Sequence, residues 1–140
     1  MTIPIGIIDD LKRDEGFRSR SYRDHLEHLT IGYGFLIEEH RSVDLPKGIA
    51  EQWLEHLVSR RWSQLLVALP WIEEQSADVK RALLNMAYQL GVNGLLSFEK
   101  MLAALAAGDR NTAADEALDS DWAKQTPERA HRVAFMIRGT

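Results

Sequence analysis

Apolar residues recur at helical spacing along most of the chain, and one early stretch breaks that rhythm. After Pro4, the residues Ile5, Ile8 and Leu11, together with Ile7, fall on one stripe, while Asp9, Asp10, Lys12 and Arg13 fall outside it. This predicts a short amphipathic helix ending near Gly16. From Arg18 to Ile37 Ser, Tyr and Thr alternate with charges, and Gly32 and Gly34 interrupt the apolar run from Leu29 to Ile37, the texture of a small antiparallel sheet. Asp44-Leu45-Pro46 then reads as a helix start with Asp44 as N-cap. Trp53, Leu54, Leu57, Val58, Trp62, Leu65, Leu66 and Leu69 follow at helical spacing up to Pro70. Ser76 is placed to cap the next helix, whose face is Val79, Leu83, Met86, Ala87 and Leu90, with Gly91 as its stop. Further helices are predicted over 97–107, 112–118 and 127–137, the last with Thr126 as N-cap and Pro127 in its first turn.

This order of elements is α+β: a small N-terminal antiparallel sheet lobe over about 14–45, a long helix over about 46–69, and a mostly helical C-terminal lobe over about 70–140. The prediction is a single domain over 1–140 with a cleft between sheet and helices. Clefts between lobes are where ligands tend to bind, so the first 40 positions are the place to look for chemistry.

Composition narrows the classes. The 140 residues are 45% hydrophobic and 27% charged, which excludes a disordered or low-complexity chain. With no cysteine there is neither a disulfide framework nor a thiolate metal site. The apolar stretches are too short, and too often broken by charge, to form a membrane span of about 20 residues. Met1 to Ile8 lacks a basic leading region and a small-residue cleavage site, so no signal peptide is expected. A net charge of −4 supplies no general basic field for nucleic acid.

Two carboxylates stand out, Glu15 beside Gly16 and Asp24 in the sheet region. A chain reversal after Gly16 would bring both to one rim of the cleft, and an inverting glycosidase needs two carboxyl groups about 6.5–9.5 Å apart. The same pair also reads as plain solvated carboxylates, with Glu15 in a surface ion pair with Arg13 or Arg18. Thr30 offers a hydroxyl suited to holding a water, or is an ordinary strand residue. Gly32 and Gly34 are no phosphate loop, since no helix opens after them, but they allow a close approach of backbone or ligand. His25, Glu27 and His28 lie in a turn without metal-site spacing, so no metal and no cofactor are expected. Arg129 and Arg132 share a helical face, either to meet a substrate carboxylate or to answer acidic residues of other helices. Tyr88 and Gln89 offer a ring for a sugar face and an amide for an N-acetyl group, or else belong to the core. Trp53, Trp62, Trp71 and Trp122 read as packing.

Taken together, Asp14-Glu15-Gly16, Tyr22-Arg23-Asp24 and Thr30-Ile31-Gly32-Tyr33-Gly34 resemble the catalytic region of the T-even bacteriophage lysozymes, the endolysins of glycoside hydrolase family twenty-four. Arg81 to Gly91 resembles that family's central buried helix, and Trp122 to Val133 its C-terminal signature. The resemblance implies a lysozyme-like fold and a muramidase that hydrolyses the β-1,4 bond between N-acetylmuramic acid and N-acetylglucosamine of peptidoglycan with inversion, lysing the host cell. It implies Glu15 as general acid, Asp24 as the carboxylate that places or activates water, and Thr30 as the residue that holds this water. Leu36 and Tyr88 match positions that line the sugar cleft, and Gln89 and Thr126 are further lining candidates. Met101 and Glu116 stand where the family commonly shows polar saccharide contacts of other types, and Phe35 replaces its usual histidine.

The resemblance further implies a monomer without metal, cofactor, nucleic-acid partner or membrane insertion. Such an enzyme is made in the cytoplasm of the host bacterium and released to the cell wall by a holin. The shorter region from Glu38 to Gln75, the early stop and Phe35 support an alternative. This is a low-activity or inactive peptidoglycan-binding module of a phage particle or of a secreted antibacterial system.

Overall fold

The computed structural model describes residues 2–24, 28–36 and 45–139, without the side chains of Ser21, Leu29, Phe35 and Leu36. The first helix, α1, spans Ile7–Glu15, two residues later at its start than the apolar stripe suggests. It buries Ile7 and Leu11, and also Asp10, which accepts a two-pronged bond from Arg81 at 2.9 and 2.7 Å. Planar guanidinium against carboxylate satisfies both groups where one is 3% exposed.

Three strands follow, β1 (Arg18–Arg23), β2 (Leu29–Gly32) and β3 (Phe35–Leu36), antiparallel and in the order β1-β2-β3. The register sets Tyr22 opposite Thr30, with an irregularity between Arg18 and Tyr22. Ile31 faces Phe35 across a tight turn through Tyr33 and Gly34. A bond from Leu45 N to the Ser19 carbonyl, 2.7 Å, ties the entry of the next helix to β1.

That helix, α2, spans Lys47–Ala68 and buries Ala50, Leu54, Val58, Trp62 and Leu65, a stripe spaced by four, four, four and three. A 3-10 turn over Pro70–Glu74, which periodicity does not predict, buries Ile72. Helix α3 (Ala77–Leu96) starts where Ser76 accepts from Val79 N at 3.3 Å, as its capping residue type predicts. Its run from Ala82 to Ala87 is buried without interruption, so α3 is the central helix of the molecule. Gly91, with φ 79 and ψ 165, breaks the helical backbone where the sequence places its stop, and a second helical stretch follows across this kink to Leu96.

The remaining helices are α4 (Glu99–Ala106), α5 (Arg110–Leu118), α6 (Asp121–Gln125) and α7 (Pro127–Arg138). Ser120 caps the short α6, its Oγ accepting from Ala123 N at 3.1 Å. Thr126 is not the side-chain cap of α7: its Oγ1 donates backwards to the Trp122 carbonyl at 3.0 Å, and Pro127, which has no N–H to satisfy, opens the helix. The expected cap Asp44 lies outside the described residues.

One apolar cluster runs from Ile7 and Leu11 of α1 through Ile31 and Tyr33 of the sheet, along α2 and α3, to Val133 and Ile137 of α7. The fold is α+β and lysozyme-like, with a small sheet beside a helical body. No described helix is long and apolar enough to cross a membrane.

Candidate active site

Glu15 is the last residue of α1, and the reversal that follows uses Gly16 at φ 69, where L side chains are strained. The expected surface pairing with Arg13 or Arg18 is not what holds its carboxyl. Arg129 of α7 donates from Nη1 to Glu15 Oε1 at 3.0 Å, and its own side chain is 8% exposed against 19% for Glu15. Arg129 Nε donates to Asn85 Oδ1 at 2.9 Å, while Asn85 Nδ2 donates to Asp14 Oδ2 at 2.8 Å. Asp14 Oδ1 accepts from Arg132. Buried charge is tolerable only when paired and hydrogen-bonded, and this chain of groups from α1, α3 and α7 meets that condition.

Within it, burial pushes the Asp14 carboxyl up, but the bonds from Asn85 and Arg132 and the charges of Arg129 and Arg132 outweigh this and hold it below the ordinary carboxylate range. Of the two sequence readings of Arg129 and Arg132, the structure selects the second: they answer acidic residues of α1.

On the sheet side, the Asp24 N–H donates to the His28 carbonyl at 2.9 Å, and the His28 N–H donates to Asp24 Oδ1 at 2.8 Å. The two bonds tie Asp24 to His28 and hold the Asp24 carboxylate. Thr30 is 3% exposed, and its Oγ1 donates to the His28 carbonyl at 2.9 Å. With its proton so committed, the hydroxyl presents lone pairs, so it can accept from a water and not donate to it.

Gly34, at φ +76, lies against the acid: a Cβ built there would sit 2.8 Å from Glu15 Oε2. A glycine here lets the backbone of the turn approach the acid closely.

Glu15, Asp24 and Thr30 line one cleft of about 540 Å³ together with Gly34, Tyr88, Gln89, Thr126 and Tyr22. Burial raises the Tyr22 and Tyr88 hydroxyls above the ordinary tyrosine range, and the negative charge of Glu15 adds to the rise in both. The Tyr88 hydroxyl donates to the Tyr33 carbonyl at 3.0 Å. Gln89 Oε1 accepts from Trp122 Nε1 at 2.8 Å, so Trp122 orients the amide besides packing edge-on against Phe98. The backbone of Leu36 lies in β3, and its side chain lies outside the described residues. Met101 and Glu116 line a different cavity, of about 520 Å³, beside Phe98 and Trp122.

Among the described residues, no group of three His, Cys, Asp or Glu is arranged to hold a metal ion. His25 and Glu27 lie outside them. The sequence reading missed Asp14 and Asn85 as neighbours of the acid. Their one legible signal is polarity on otherwise apolar faces, since Asn85 is 0% exposed amid the hydrophobic run of α3.

Comparison with known proteins places the chain in a family. The chain is 33% identical to part of the pre-baseplate central spike protein Gp5 of Enterobacteria phage T4, over 91% of this chain but 26% of that protein's length. It is 31% and 30% identical to the probable T4-type lysozymes 2 and 1 of Dictyostelium discoideum. These matches cover 89% and 94% of this chain and 89% and 92% of theirs. The sequence pattern of the phage lysozyme family matches residues 12–134, a span that holds Glu15, Asp24, Thr30 and the arginines of α7, and the chain belongs to that family.

Proposed function

We propose that this chain is a muramidase: it hydrolyses the β-1,4 bond between N-acetylmuramic acid and N-acetylglucosamine of bacterial peptidoglycan. The observation that carries the reading is the meeting of Glu15, Asp24 and Thr30 in one cleft. Glu15 is the general acid. Arg129 holds Oε1, so the proton given to the leaving oxygen belongs on Oε2, the oxygen beside Gly34.

Asp24 and Thr30 each engage one hydrogen of the attacking water, and only Asp24 removes its own. Asp24 accepts one as base, and Thr30, whose own proton is committed to His28, accepts the other as a hydrogen bond. The lone pair of the water then faces the anomeric carbon from the side opposite the leaving group, which inverts the configuration. Leu36, Tyr88, Gln89 and Thr126 line the sugar path. Gln89 does so with its NH₂, because Trp122 occupies its carbonyl oxygen. No metal or cofactor takes part. The biological setting that fits is that of an endolysin: a monomer held in the host cytoplasm until a holin releases it to the wall.

The likeness to the phage spike protein favours a second setting for the same cleft, a lysozyme module of a phage particle. Mass spectrometry of fragments released from purified Gram-negative peptidoglycan by the parent and by Glu15→Gln tests the chemistry. Reducing muramic ends from the parent, absent with the variant, are expected. Anhydro ends would make the protein a transglycosylase. A sacculus bound but uncut by both would make it a binding module.

A further inference from the structure

Tyr33 stands at the apex of the β2–β3 turn, and three side chains from other parts of the fold take hold of it. Its ring packs on Phe17 with centroids 5.4 Å apart. Its hydroxyl donates to Glu51 Oε1 of α2 at 3.5 Å, and its carbonyl accepts from the Tyr88 hydroxyl of α3 at 3.0 Å. Tyr33 is 2% exposed, so the bond from Tyr88 joins groups that solvent does not reach in the same geometry. The next residue is Gly34, whose backbone leaves no room for a Cβ beside Glu15 Oε2. The position of this turn therefore sets the space around the oxygen that carries the acid proton.

We propose that Tyr88 is a positioning residue. Its hydroxyl latches the Tyr33 carbonyl to the central helix and so seats Gly34 against the Glu15 carboxyl. Tyr88 reads in the sequence as a surface for sugar, and its ring still lines the cleft, but its hydroxyl is spent on the sheet. The latch joins the sheet to the helical body at the cleft itself. It acts through Glu15 and touches no reacting atom. The inference rests on the muramidase reading, because a seated carboxyl matters to rate only if Glu15 donates a proton.

Tyr88→Phe tests it, since the variant keeps the ring and removes only the donor. Kinetics on soluble peptidoglycan fragments are measured beside hydrogen exchange of the amides in 30–36. The net worth of one such bond converts to about three- to tenfold in an equilibrium, so kcat is expected to fall by about that factor with KM unchanged. Exchange in 30–36 is expected to quicken by a similar factor while α4 and α5 exchange as in the parent.

A rise in KM at constant kcat overturns the latch and leaves Tyr88 a sugar contact. Unchanged exchange in 30–36 also overturns it, whatever kcat does, as does exchange that quickens throughout the molecule. An active parent whose Tyr88→Phe variant matches it in kcat overturns the positioning role alone. A parent as inactive as Glu15→Gln overturns the muramidase reading, and the positioning role with it.

Discussion

Replacing Asp14 by Asn removes one negative charge from the buried network and changes almost nothing else in volume. The Asp14 side chain is 1% exposed, accepts from Asn85 and Arg132, and lies 3.8 Å from Arg129 Nε. An Asn keeps one acceptor and turns the other position into a donor, which then faces a donor of Asn85 or Arg132. Removing one partner of a buried ion pair costs about 3–5 kcal/mol. The low end applies here, because Arg132 is 38% exposed and can turn part of its guanidinium to water.

Unfolding entropy of about 2.1 cal/mol/K per residue gives roughly 0.3 kcal/mol/K for a chain of this length, so a loss of about 3 kcal/mol lowers Tm by about 10 °C. The pH dependence follows from the sign of the shift. Asp14 titrates lower in the folded protein than in the unfolded chain, so its stabilisation is present above the unfolded carboxylate value and is lost as pH falls through the folded one. The gap in Tm between parent and variant is therefore widest at pH 7 and narrows below about pH 4. Calorimetry of both proteins from pH 7 to pH 3 measures it. A gap under about 3 °C at pH 7, or one that stays constant on acidification, would refute the buried-pair argument.

Two further substitutions probe the turn and a helix start. Gly34→Ala places a side chain at φ +76 and 2.8 Å from Glu15 Oε2, which costs about 1–2 kcal/mol in backbone strain. Under the proposed mechanism it abolishes cleavage of peptidoglycan while the circular-dichroism spectrum stays that of the parent. Ser120→Ala removes the acceptor for Ala123 N at the start of α6, and a stability loss of about 1 kcal/mol is expected by urea denaturation. Activity follows only if Trp122, the second residue of α6, lets go of Gln89.

Periodicity alone made α2 and α3 legible, because their buried positions recur on one face over many turns, as Ala50, Leu54, Val58 and Trp62 do. Gly91 was legible as a stop because glycine adopts positive φ without strain. The short helical stretch after it, which buries Leu95 and runs to Leu96, is too brief to show a period. The short α6 has too few residues for a period, and the sequence did not predict it. At Thr126 the local rule was right about residue type and wrong about partner, since the Trp122 carbonyl of α6 lies within reach of the hydroxyl.

Glu15, Asp24 and Thr30 were legible as candidates because they lie within short motifs of the first 34 positions. What holds the acid was not. Arg129 stands 114 residues from Glu15, and Asn85 71 residues from Asp14, so only the packing of α1 between α3 and α7 brings them together.

Adjacent carboxyl groups end in opposite circumstances at this junction. Asp14 is 1% exposed and engages both oxygens, Oδ1 with Arg132 and Oδ2 with Asn85, so its charge is spent holding α1 to α3 and α7. Glu15 is 19% exposed, faces the cleft, and is anchored by Arg129 through Oε1, with Oε2 set against the turn. The side chains of successive helical residues point about 100° apart, which is how one step along α1 moves a carboxyl from the interior to the cleft. The two isosteric replacements therefore separate along different axes. Asp14→Asn moves the melting temperature strongly, whereas Glu15→Gln, keeping an acceptor for Arg129 but no acid proton, moves turnover far more than stability. A Glu15→Gln protein that melted as low as Asp14→Asn would show that the second carboxyl is structural as well, and the assignment of the acid would have to pass to another residue of the cleft.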